Sequence, residues 1–210
     1  MTSLSRRTGL IILGLGSASV VASEVLFTRL LSVCAWYGLA FLVLSIAMLG
    51  TASGSLSAAR ARAQGLPLAP WVAGRLVGLS LGLVAATLII TSVPLVFSPD
   101  VTALTSVVLM VAAATAPMAA GGGLVARLMA ELPVPIGRAY AVDLVCAALG
   151  ATAPLALLGP LSGPSAIVAV AGAAALAAVI IAPAGSKPLA GLALAACVGL
   201  VLVTEMTSHG

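Results

Sequence analysis

The sequence predicts an all-α protein, a polytopic transmembrane bundle of about seven helices. Of the 210 residues, 62% are hydrophobic and 7% are charged, whereas soluble domains carry about 25% charged residues. The mean hydropathy is +1.28. The apolar residues also form long blocks, most of them near the ~20 residues that cross a bilayer as a helix. These three observations indicate an integral membrane protein with the lipid bilayer as its first partner.

The apolar blocks and the turn-like stretches between them give the expected helices. They lie near residues 9–31, 36–58, 71–94, 103–128, 137–159, 164–183 and 188–205. Clusters of Gly, Pro and Ser separate the later blocks, as at residues 159–164 and 183–188. If the last block does not span, the bundle has six transmembrane helices. Residues 1–210 are thus predicted to form a single transmembrane domain without a soluble catalytic domain.

The first block has some features of a secretory signal peptide. Arg6 and Arg7 precede an apolar run, and Val21-Ala22-Ser23 could pass for a cleavage site. The apolar character continues to Leu31, however, beyond a normal signal core. We therefore interpret this block as a retained first helix.

The positions of Lys and Arg predict the orientation in the membrane. The loops near 32–35, 95–102 and 160–163 contain no Lys or Arg. The basic residues instead flank the other ends of the blocks: Arg6, Arg7, Arg60, Arg62, Arg127, Arg138 and Lys187. Because cytoplasmic loops are enriched in Lys and Arg, this alternation predicts a cytoplasmic N-terminus and a non-cytoplasmic C-terminus. The expected location is a bacterial-type inner (plasma) membrane.

Composition argues against several functional classes. The net charge of +4 comes from singly spread basic residues, a pattern typical of topology signals rather than of a nucleic-acid surface. Cys34, Cys146 and Cys197 lie in separate apolar segments without metal-ligand spacing, and the one histidine, His209, is next to the last residue. We therefore predict no catalytic residue, no metal site and no cofactor.

Small residues on the second block predict close helix packing. Ala47, Gly50, Gly54 and Ala58 recur every three or four residues, and such rows let helix backbones approach each other. We interpret the row as an intramolecular packing face in preference to a homodimer interface.

Four ionisable residues lie within the predicted helices: Glu24, Arg29, Arg75 and Asp143. A charged residue such as Asp at mid-membrane costs about 2.5–3.5 kcal/mol on insertion scales. At 1.5 Å per residue, Asp143 and Arg75 lie at a similar depth, roughly 7–9 Å from the cytoplasmic side. Tyr140, three residues before Asp143, could donate a hydrogen bond to it.

Two hypotheses for these charges stay open. Glu24 and Asp143 could line a polar cavity that binds a cation or relays protons. Alternatively, the two acids and two bases pair with each other and lock neighbouring helices together.

The fourth block contains a candidate helix break. Pro117 is followed by Gly121, Gly122 and Gly123, and this combination weakens or kinks helices. Interrupted membrane helices often lie beside binding sites. Further along the same block, Arg127 and Glu131 at i,i+4 are interpreted as an ordinary surface pair.

Three segments resemble a known family. Residues 23–33 (SEVLFTRLLSV), 47–60 (AMLGTASGSLSAAR) and 137–151 (GRAYAVDLVCAALGA) together resemble the membrane region of the integral-membrane spermidine synthase-like proteins. The family pattern falls on the following residues of this chain: Glu24, Arg29, Gly50, Gly54, Arg60, Tyr140, Asp143 and Gly150.

The resemblance implies a bundle that anchors, and supplies, a soluble aminopropyltransferase-like partner, with a polyamine as ligand. The chain departs from the family in one respect. Its triple glycine is followed by Leu124 instead of an acid and lies in a helix, so the chain alone is expected to have no transferase activity. Two other roles remain open: a small transporter or channel subunit for a cationic or amine solute, and a structural subunit, in an oligomer or a larger membrane complex.

Overall fold

Seven α-helices make up the bundle. The computed structural model describes residues 4–34, 40–93, 101–183 and 185–208, and no strand occurs within these ranges. The helices are α1 (Arg6–Cys34), α2 (Ala40–Ala63), α3 (Leu68–Ser92), α4 (Val101–Glu131), α5 (Ile136–Leu157), α6 (Gly163–Ile181) and α7 (Lys187–Ser208). The predicted all-α class and the seven-helix count are confirmed over the described ranges.

Six of these helices are long and apolar enough to cross a membrane, counted over the residues that the structure describes. The predicted alternative of six spans left out the last helix, but α7 is one of these six. The chain is a multi-pass membrane protein.

Four helices form the inner layer and three cover it from outside. Helix α1 packs on α4 and α6, and α3 packs on the same two helices. Outside this layer, α2 lies mainly on α4, α5 on α1, and α7 on α6. Because α2 and α5 cover neighbouring inner helices without forming a close pair, a cleft remains between them.

Helices α2 and α4 run parallel in backbone contact. A Cβ atom built on Gly50 would lie 2.9 Å from the carbonyl oxygen of Thr115, and one on Gly54 would lie 2.1 Å from that of Ala119. Real Cβ atoms do not approach backbone this closely, so only glycine permits the observed spacing. The small-residue row of α2 thus packs within the chain, against α4.

The candidate break in α4 is not a break. The helix continues without interruption from Val101 to Glu131 through Pro117. The three glycines serve close packing instead: Cβ atoms there would collide with Val20 of α1, or with Thr51 and Gly54 of α2. Neighbouring helices therefore hold α4 together where the sequence alone would weaken it.

Helices α1 and α5 form a second parallel pair. Gly14 lies against Cys146, and a Cβ atom on Gly150 would lie 2.4 Å from the carbonyl oxygen of Ala18. Gly150 thus lets α5 lie directly on the α1 backbone. The rest of the α5 surface is largely uncovered, since only 11% of its spanning window is buried.

Candidate functional site

An acidic cleft of about 340 Å³ opens between α1, α2, α4 and α5. Its wall contains the carboxylates Glu24 and Asp143 and the hydroxyls of Ser17, Thr51 and Ser55. Aliphatic and glycine residues complete it: Val20, Val21, Gly122, Val125, Ala126 and Ala147. Among the described residues of this wall there is no Lys or Arg, so the two carboxylates share the cavity without a basic residue from that part of the chain.

Ser17 of α1 holds Asp143. The Ser17 hydroxyl is buried and donates a hydrogen bond to Oδ1 of Asp143. The parallel packing of α1 and α5 through Gly14 and Gly150 brings the two residues together. Tyr140, the predicted donor, is 57% exposed and forms no hydrogen bond with Asp143. The carboxylate is therefore oriented from the neighbouring helix.

Glu24 lies farther along α1, at the other end of the cleft. It is half-buried, and its carboxylate forms no hydrogen bond or ion pair with any residue that the structure describes. Seven residues separate it from Ser17, which is about 10 Å along the helix axis. The cleft thus offers two carboxylates at different depths, one held by a hydroxyl and one unpartnered.

The second hypothesis, pairing among the four intramembrane charges, is not met within the described ranges. Arg75 donates from Nη2 to the Ser57 hydroxyl at 2.7 Å, and its helix packs on α4 and α6, whereas α5, which carries Asp143, packs on α1. Arg29 is exposed near the end of α1. Arg75 and Asp143 lie at a similar depth along their helices, but α3 and α5 are not neighbours in the bundle.

The interpretation of Arg127 and Glu131 as a surface pair was wrong. Arg127 is only 2% exposed. Its Nε lies 2.9 Å from Oε1 of Glu131, and its Nη2 donates to the carbonyl oxygen of Leu66 in the α2–α3 loop. One signal was present in the sequence: Arg127 lies on the same helical stripe as Leu124 and Leu128, both fully buried.

Trp71 joins Arg75 to the pair formed by Arg127 and Glu131. We call these four residues the charge cluster. The guanidinium carbon of Arg75 lies 4.6 Å from the centre of a Trp71 ring, and that of Arg127 lies 4.8 Å from it. At these distances the ring attracts both cations. The cluster ties α3 and α4 to the α2–α3 loop at the end of the bundle where most basic residues lie.

A larger cavity of about 580 Å³ lies between α2 and α4, nearer to that end of the bundle. We call it the basic groove because Arg62 and Arg127 line it, together with Glu131. Small residues form most of the remaining wall, and two of them, Ser55 and Ala126, also line the acidic cleft. The two cavities are therefore neighbours along α2 and α4.

Metal-binding groups do not converge in the part of the chain that the structure describes, where no three His, Cys, Asp or Glu side chains lie together. Cys146 and Cys197 are free thiols on different helices. The acidic cleft is thus a site of separated carboxylates, not a cluster of ligands around one ion.

Comparison with protein-family models, with curated proteins and with solved structures finds no match to this chain. The resemblance to the spermidine synthase-like membrane region therefore stays a prediction.

Proposed function

We propose that this protein is a membrane-embedded binding and transport unit for a cationic organic amine. The observation that carries the proposal is the acidic cleft, in which Glu24 and Asp143 line one cavity without a basic residue. A carboxylate in a low-dielectric surrounding is costly unless it is paired. A cationic guest supplies the missing partner.

The rest of the wall favours an organic cation over a bare metal ion. Val20, Val21 and Val125 present aliphatic surface between the two carboxylates, and this surface suits an alkyl chain. Hydroxyls of Ser17, Thr51 and Ser55 accept hydrogen bonds from an ammonium group. The volume of about 340 Å³ is within the range of small-molecule sites.

The family resemblance supplies a more specific form of the same proposal. A polyamine is such a cation, and the membrane bundle would anchor and supply a soluble aminopropyltransferase-like partner. In this form the protein lies in a bacterial-type inner membrane with its basic end and N-terminus cytoplasmic and its C-terminus outside. The support for the partner and the polyamine is the resemblance alone.

The decisive variant is Glu24→Gln, measured by calorimetric titration of the purified protein with n-pentylamine and 1,5-diaminopentane. We expect the affinity for both amines to fall about tenfold or more, since a hydrogen bond to a charged group contributes about 1.5–3 kcal/mol. Asp143→Asn should weaken binding in the same direction. Glu205→Gln is the matched control, because Glu205 contacts Ser162 between α6 and α7, outside the cleft, and it should leave affinity unchanged.

The same titrations separate the rival functions. Wild-type affinity in both Glu24→Gln and Asp143→Asn would rule out amine binding in the cleft. If the wild type binds no amine and the two variants differ from it only in thermal stability, the carboxylates serve packing and the protein is a structural subunit.

A further inference from the structure

The acidic cleft and the basic groove carry opposite charges and have two lining residues in common. Glu24 and Asp143 line the cleft, and Arg62 and Arg127 line the groove. The shared wall residues Ser55 and Ala126 are both small, so no bulky side chain of the shared wall separates the cavities. One elongated ligand can therefore occupy both.

The groove retains a positive charge after its internal pairing is counted. Glu131 neutralises one arginine, Arg127, at 2.9 Å. Arg62, on the facing helix, is exposed and forms no ion pair with any described residue. The groove thus has a net charge of one positive unit, which disfavours a purely cationic ligand along its length.

Arg127 has spare hydrogen-bonding capacity in the wall of the groove. Its Nη1 is buried and has no acceptor among the residues that the structure describes. A buried donor without an acceptor destabilises the site that holds it. Nη1 is enclosed by protein, so an anionic oxygen at this end of the groove would meet the exposed guanidinium of Arg62.

We propose that the ligand is a zwitterion with a primary ammonium group at one end and a carboxylate or phosphate at the other. The inference rests on the proposed function and specifies its substrate class. The ammonium group lies in the acidic cleft against Glu24 or Asp143, and the anionic group lies in the basic groove against Arg62 and Arg127. Charge complementarity at both ends fixes the orientation of the ligand along α2.

Helix geometry sets the length of such a ligand. Ser55, at the junction, and Arg62 are seven residues apart on α2, which is about 10 Å. The long Arg62 side chain shortens the gap that the ligand must span. An alkyl chain of about four or five carbons between the charged groups, as in a free ω-amino acid, is of this order of length. The ethanolamine phosphate of an aminophospholipid headgroup carries the same two charged groups on a shorter, two-carbon chain.

The test compares two probes of equal chain length, n-pentylamine and 5-aminopentanoate, which differ by the carboxylate. We expect the wild-type protein to bind 5-aminopentanoate about tenfold more tightly than n-pentylamine, because the carboxylate adds one charge-assisted contact. Arg62→Gln should abolish this preference while leaving pentylamine affinity unchanged or slightly raised. Arg60→Gln is the matched control, because Arg60 is exposed on the same helix and lines neither cavity.

The results of these titrations test the zwitterion inference and the proposed function separately. Equal affinity of the wild type for the two probes, or a preference that survives in Arg62→Gln, overturns the zwitterion inference while amine binding stands. If the wild-type protein binds neither n-pentylamine nor 5-aminopentanoate, the proposed function itself is overturned. Repeating the titration in bilayers with and without phosphatidylethanolamine identifies the source: competition by this lipid supports the inference with a headgroup as ligand, and unchanged affinity supports it with a free solute.

Discussion

Replacing Arg127 by alanine is expected to destabilise the protein by about 3–5 kcal/mol, the range for breaking one side of a buried ion pair. The change removes the partner of Glu131 and the donor to the Leu66 carbonyl. It also removes one of the two cations over Trp71. The loss should be large because Arg127 is almost fully buried, so no water replaces these contacts.

Equilibrium unfolding in mild detergent measures this loss. Arg127→Lys keeps the charge but not the planar set of donors, and should show an intermediate loss. Arg138→Ala is the control, because Arg138 is exposed at the start of α5, and should change the free energy of unfolding by less than about 0.5 kcal/mol. Equal stability of Arg127→Ala and Arg138→Ala would refute the structural role assigned to the charge cluster.

Gly54→Ala is expected to destabilise the bundle by about 1–3 kcal/mol through overpacking, against a helix-propensity gain of about 1 kcal/mol. Its added methyl group would lie 2.1 Å from the carbonyl oxygen of Ala119, so α2 must move away from α4. Because Thr51 and Ser55 of α2 line the acidic cleft, amine affinity should fall as well.

Gly74→Ala provides the matched control on α3. A methyl group there meets nothing within 4 Å, so the propensity gain is unopposed and stability should stay the same or rise. The unfolding curves of the two variants are recorded side by side. Relative to the wild type they should shift in opposite directions, or the two shifts should differ clearly in size. A Gly54→Ala protein as stable as Gly74→Ala would mean that α2 and α4 are not in backbone contact.

The sequence by itself determined the membrane class and the positions of the helices along the chain. The block predicted at residues 164–183 is α6, Gly163–Ile181, because long apolar runs between turn-forming residues leave few alternatives in a bilayer. The same reasoning selected Glu24 and Asp143 as the unusual acids, since a carboxylate within an apolar block is costly wherever it lies.

Only the tertiary structure decided which side chains meet. The helices are apolar nearly all round, so no amphipathic stripe reveals which face turns inward. Depth along a helix follows from counting residues, but rotation about its axis and the choice of neighbour follow from packing small residues against backbone. For that reason the sequence could not indicate that Ser17 holds Asp143, and it left open whether Glu24 and Asp143 line one cavity, as they do in the acidic cleft.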